Sequence, residues 1–132
     1  MTAAATVARE ALTTLLDTAL TGVQVYEKLP SQLTLPCVTI EPGSPWITGV
    51  LTTGGVGYRV GFDIVASAAP TAGTAPAWAD LEDLVDQVLA AVDSEPSILT
   101  NAEIDTPAQV SLGAVDVFQA RVPVHVIASP AP

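Results

Sequence analysis

Between positions 78 and 92, Trp78, Leu81, Leu84, Val85, Val88, Leu89 and Val92 recur at helical spacing. At 100° per residue they cover about 140° of a wheel, while Glu82, Asp83, Asp86 and Asp93 gather on the far side. A helix with such a stripe gains most of its stability from an apolar surface that covers it, so the rest of the chain must supply that surface. Two stretches have the required period of two. Tyr58, Val60, Phe62 and Ile64 alternate along one strand, and Ala120, Val122, Val124 and Val126 along another. A second amphipathic helix is predicted from about Thr6 to Leu20, with Val7, Ala8, Ala11, Leu12, Leu15, Leu16 and Ala19 on one half of the wheel. The fold that follows is α+β: a mostly antiparallel sheet with two amphipathic helices packed on one face and a long β-hairpin arm. With 132 residues and no internal repeat, residues 1–132 are expected to form a single domain.

The punctuation between these elements predicts the remaining layout. Gly22 is placed to cap the first helix in the left-handed region. Val23–Tyr26 and Cys37–Glu41 read as strands, and Pro42-Gly43-Ser44-Pro45 is expected to stop the second of them. Ser67 to Ala75 reads as a small-residue loop. Pro76 is expected in the first turn of the following helix, where its missing N–H costs nothing. Ile98-Leu99, Glu103-Ile104, Val110–Leu112 and Val115–Val117 read as short strands. Pro123, on the opposite phase of the last strand, predicts an edge position or a bulge.

Charge is distributed unevenly. Residues 60–120 hold ten acids and no Lys or Arg, while the chain's four cations are Arg9, Lys28, Arg59 and Arg121. Four scattered cations in a chain of net charge −10 do not grip phosphates by counterion release. The acidic face of Glu82, Asp83 and Asp86 is expected never to lie in tight contact with nucleic acid. Apolar runs are far shorter than the ~20 residues a spanning helix needs, so no membrane crossing is expected. The start, MTAAATVAREAL, reads as a helix and not as a signal peptide.

The residues do not assemble a recognisable reaction centre. His125 is the only histidine; it stands on the polar phase of its strand without a second His or Cys near it, so an exposed strand histidine is expected and no metal site. Ser44 sits in Gly43-Ser44-Pro45, not in a Gly-x-Ser-x-Gly elbow. Asp80, Glu82, Asp83 and Asp86 fit a solvated helix face better than a pair of acids in a cleft. Gly54, Gly55 and Gly57 lack the Lys-Ser/Thr of a phosphate loop. Cys37, the single cysteine, reads as a buried small hydrophobe. No catalytic residue, cofactor or metal is assigned, and the expectation is a protein that is not an enzyme.

The segment Trp46–Gly57 stands out instead. It is apolar and glycine-rich, and longer than most loops of a small domain. It reads either as a hairpin tip packed on its own domain or as an arm that hides Trp46, Ile47, Val50 and Leu51 against a neighbour. Arg59 and Arg121 are the cations expected at the same interface.

The order of elements resembles that of tail terminator proteins of long-tailed phages, particularly those of actinobacterial hosts. The residues that carry the likeness are the N-terminal helix running into Val23-Gln24-Val25-Tyr26, then Leu29-Pro30, Leu35-Pro36-Cys37-Val38-Thr39-Ile40, Pro42-Gly43-Ser44-Pro45-Trp46, and the closing Val117-Phe118-Gln119-Ala120-Arg121-Val122-Pro123-Val124. The resemblance implies a structural virion protein of the tail and neck, assembled in the host cytoplasm. It implies a ring, usually of six copies, that caps the major tail tube protein, ends its polymerisation and meets the head-tail stopper or connector. DNA passes through such a ring without specific binding. The alternatives are another neck protein, such as a stopper or connector, or a small non-phage binding or adaptor module that uses the Trp46 segment on one partner.

Overall fold

The computed structural model describes residues 2–28, 34–52, 55–69, 71–72, 75–76, 78–100, 103–112 and 115–130. In chain order the elements are α1 (Ala4–Ala19), β1 (Gln24–Tyr26), β2 (Cys37–Thr52), β3 (Gly55–Ala68), β4 (Thr71–Ala72), β5 (Ala75–Pro76), α2 (Trp78–Asp93), β6 (Ile98–Thr100), β7 (Ala108–Leu112) and β8 (Val115–Ala128). The main sheet runs β1-β2-β3-β8-β6, with β7 also paired to β8; β4 and β5 form a separate two-stranded ladder. Only the β1–β2 pairing is parallel among these ladders.

Register explains how one face became the core. Ile64 pairs with Val122, Phe62 with Val124 and Val60 with Val126, and Ile40 pairs with Ile64. Residues opposite each other in a ladder share a face, so this apolar set forms one continuous surface. Ala8, Leu12 and Leu16 of α1 and Leu81, Leu84, Val88 and Val92 of α2 bury themselves on it. Each fully buried Leu or Val contributes about 1.5–3 kcal/mol relative to exposure. The helices touch each other and share the sheet: α1 meets β8, β1, β3 and β2, and α2 meets β3, β6 and β8. The α+β reading, with a mostly antiparallel sheet and two helices on one face, is the fold observed.

Several local expectations are corrected. Pro42–Pro45 does not end the second strand. Pro42 pairs with Phe62 and Ile47 with Val60, so Gly43–Trp46 stand opposite Gly61 alone and β2 resumes beyond a large bulge. The expected loop after Ser67 is shorter, because β3 continues to Ala68 and the β4–β5 ladder follows. Pro76 closes β5, and the helix starts at Trp78. Trp78 itself is 42% exposed, at the start of its helix, and stacks on Phe118 with ring centroids 4.6 Å apart. Glu103-Ile104 is not a strand, although Ile104 packs against the core. Val115–Val117 and Ala120–Val126 belong to one strand, β8. Gly22 adopts φ +74°, two residues beyond the helix cap Leu20, and turns the chain into β1.

Pro123 fits the strand for a specific reason. Its carbonyl accepts the Thr100 hydroxyl at 3.0 Å, so its nitrogen also points toward the β6 side. There the β6 ladder stops at Val124 and the β7 ladder begins at Gln119. The missing N–H therefore faces a gap in the pairing, a local edge inside a strand that is otherwise paired on both sides.

Candidate functional site

The β2 bulge is built on two glycines. A Cβ on Gly43 would lie 2.9 Å from the Gly61 carbonyl carbon and from the Phe62 nitrogen. A Cβ on Gly61 would fall on the Pro45 carbonyl oxygen, well inside van der Waals contact, and 3.3 Å from Cε1 and Nδ1 of His125. The chain therefore crosses close over the sheet where neither residue has a side chain. Having crossed, it presents Trp46 and Ile47, 51% and 44% exposed. From Ile47 to Gly49, β2 pairs with a stretch of β3 that is itself still paired to β8. Tyr58 is the last β3 residue matched to β8, and beyond it Val50–Thr52 and Gly55–Gly57 continue as a two-stranded ribbon. This ribbon is the predicted arm. Val50 pairs with Gly57 and Leu51 with Val56; the side chains of Val50 and Leu51 lie outside the described residues.

Arg59 pairs with Thr48 at the root of the arm and, exposed, forms no ion pair among the described residues. Arg121 lies on the sheet face opposite the helices, 3.4 Å from Glu41 and 3.5 Å from Asp63. These groups are 30–50% exposed, so solvent screens the pairs and each adds little stability. Glu82, Asp83 and Asp86 are all exposed on the outer face of α2, as their wheel positions predict.

What the sequence did not announce is a cleft of about 570 Å³ that gathers Arg9, Lys28 and Arg121 beside Trp46. Its wall includes the successive β2 residues Thr39, Ile40, Glu41 and Pro42. Neighbouring strand residues point to opposite faces, so a cavity that meets all four runs along the strand's edge. Among the described residues, β1 pairs with that edge only as far as Thr39. Arg9 contacts Glu27 at 3.6 Å, and Lys28 makes no ion pair among the described residues. Three of the four cations in the chain thus reach one site from α1, from the segment after β1, and from β8. The only signal in the sequence was their scarcity.

His125 is half-buried, not exposed as expected. Its ring lies against Gly61, and its Nδ1 is buried without a hydrogen-bond partner among the described residues. No group of three or more His, Cys, Asp or Glu suited to a metal ion occurs among the described residues. No described helix is long and apolar enough to cross a membrane.

Cys37 is fully buried opposite Ser67. Burial pushes its thiol above the ordinary value, partly offset by the hydrogen bond with Ser67. A raised pKa means that this group's contribution to stability is present below the unfolded thiol's pKa and is lost as pH rises through the folded one. The folded protein is expected to resist alkylation by iodoacetamide at pH 8, and to react at the rate of an ordinary thiol only once denatured. Rapid labelling of the native state, followed by mass spectrometry, would contradict the burial.

Comparison with protein-family models and with curated proteins finds no match to this chain.

Proposed function

We propose that this chain is a structural virion subunit of the tail-terminator kind. Copies form a closed ring, six by the resemblance, that caps the tail tube, stops its polymerisation and joins the tail to the head-side connector. It acts by fitting surfaces together and has no reaction of its own. The observation that carries this reading is the exposure of Trp46 and Ile47 in β2, on the way to a short β2–β3 ribbon, Val50–Thr52 with Gly55–Gly57, that has no third strand beside it among the described residues. A two-stranded hairpin alone is marginal in water, and a half-exposed tryptophan is a costly surface unless a partner covers it. A neighbouring subunit or the tail tube supplies that cover. Closed cyclic symmetry satisfies a head-to-tail interface once per copy, and an acidic ring lets DNA slide where a basic one would hold it.

The decisive experiment is genetic. Particles assembled without this protein should carry tails of uncontrolled length that fail to join heads. Tails of normal, uniform length in its absence would end the terminator reading.

Trp46→Ala tests the carrying observation. The isolated subunit should keep its melting temperature, because Trp46 is outside the buried core. Incorporation into particles should weaken by roughly 2 kcal/mol or more, the mark of an interface anchor. A variant that melts earlier, yet is incorporated normally whenever folded, would place Trp46 in its own domain's core.

A further inference from the structure

We propose that the cleft of Arg9, Lys28 and Arg121 receives the acidic face of α2, Glu82, Asp83 and Asp86, from a second copy of this chain. The proposal rests on the ring reading and names the contact that closes the ring. Charge complementarity argues for it first. Three of the chain's four cations line the cleft, together with Glu27 and Glu41, which pair with Arg9 and Arg121 and leave Lys28 as its cation without an ion pair among the described residues, while the ten acids of residues 60–120 are accompanied by no Lys or Arg. The most concentrated exposed carboxylates in that stretch are those of α2. Within one subunit, Glu82, Asp83 and Asp86 form no ion pair with Lys or Arg among the described residues.

Placement argues for it second. The cleft borders α1 and the edge of β2 beyond Thr39, which no described strand pairs on the β1 side. The acidic residues stand on the outer face of α2, where Asp83 borders a pocket with Gly22, Val23 and Pro36, and Glu82 and Asp86 border one with Ile104 and Pro107. No ion pair joins the two patches within one molecule among the described residues. They meet between copies related head to tail, the arrangement that closes into a ring when the rotation is right. Trp46 at the cleft gives the same contact an apolar anchor beside its charges. A cleft of this volume also falls within the range of small-molecule pockets, so an anion such as phosphate is the competing occupant that the test must separate.

The experiment is a charge swap read by sedimentation of the full chain at rising concentration. Arg9→Glu with Lys28→Glu makes the cleft acidic, and Glu82→Lys with Asp83→Lys makes the helix face basic. Either pair alone should weaken self-association at least about tenfold, since each sets like charges against one another. All four substitutions in one chain should restore it, with opposite signs facing again. Wild-type association should also fall as salt is raised. Thermal melts of each variant separate lost docking from lost folding, and restoration by the fourfold variant cannot arise from misfolding. If wild-type association is unaffected by either pair, this contact is wrong while the ring stands on another surface. If the cleft reversal abolishes inorganic phosphate binding seen by NMR titration but leaves the sedimenting mass unchanged, the cleft is an anion site and the docking is overturned. A wild-type chain that stays monomeric at millimolar concentration also overturns it, and the ring is then judged by tail length alone.

Discussion

Gly61→Ala is expected to cost about 3 kcal/mol of stability, the upper end of what overpacking by small additions usually costs. For a chain of this size that corresponds to a melting temperature lower by roughly 10 °C. The reason is geometric. The new methyl would meet the Pro45 carbonyl oxygen and the His125 ring together, and the oxygen belongs to the backbone of the bulge, which cannot rotate away as a side chain can. Relief would require the bulge to lift, carrying Trp46 with it. Gly49→Ala provides the contrast, since a Cβ there meets nothing within 4 Å; it should change stability by no more than about 0.5 kcal/mol. Thermal denaturation of the two variants side by side is the test. Equal melting temperatures would mean that β2 does not cross the sheet at Gly61.

The second large effect lies in the helix–sheet interface. Leu16 of α1 is fully buried in the same cluster as Ile64, Val88 and Val122. Leu16→Ala removes that contact area and leaves a cavity between two rigid layers, for an expected loss of about 2–5 kcal/mol. Against a typical total of about 5–15 kcal/mol, that is a substantial share of the fold's stability. Asp17→Ala, one position on and exposed, should stay within about 0.5 kcal/mol of wild type. Urea titration of both variants checks the pair, because the midpoint moves with stability while the slope reports the surface exposed. Matching midpoints would show that α1 is not docked on the sheet.

Much of this architecture was legible because periodicity is a local property. The 3.6-residue stripe of α2 and the alternation of Tyr58–Ile64 and Ala120–Val126 each name a buried face without knowledge of its partner. Leu81, Leu84 and Val88, and Val60, Phe62 and Ile64, are the residues found buried. The arm was legible for a related reason, since an apolar, glycine-rich stretch between two strands has few places to go. The exposure of Trp46 and Ile47 was not settled by it, since a tip packed on its own domain was the other reading.

The bulge was not legible. Pro42-Gly43-Ser44-Pro45 carries the same local signal whether a strand ends there or leaves the ladder and returns. Its return depends on a residue without a side chain at Gly61, far along the chain, and on the register that brings it opposite. Pro76 was misplaced in the same way: it suits a first helical turn, but it pairs with Thr71 in β5. Pro123 was read as needing an edge position or a bulge; it lies instead in an inner strand, at the interval between the described β6 and β7 ladders, which exists only after both have docked on β8.

The sequence by itself determined the fold class, the two helices, the buried face of the central strands and the segregation of acids from bases along the chain. Those are written in composition and in repeats of two and 3.6 residues, which short-range sterics and hydrophobic burial turn into structure directly. Only the tertiary structure decided that Arg9, Lys28 and Arg121 share one cleft with Trp46, and that no ion pair joins them to the acids of α2 among the described residues. Charges far apart in sequence have no local conformational preference that brings them together. Their meeting is fixed by strand order and register, which the apolar core selects without regard to where the surface charges fall.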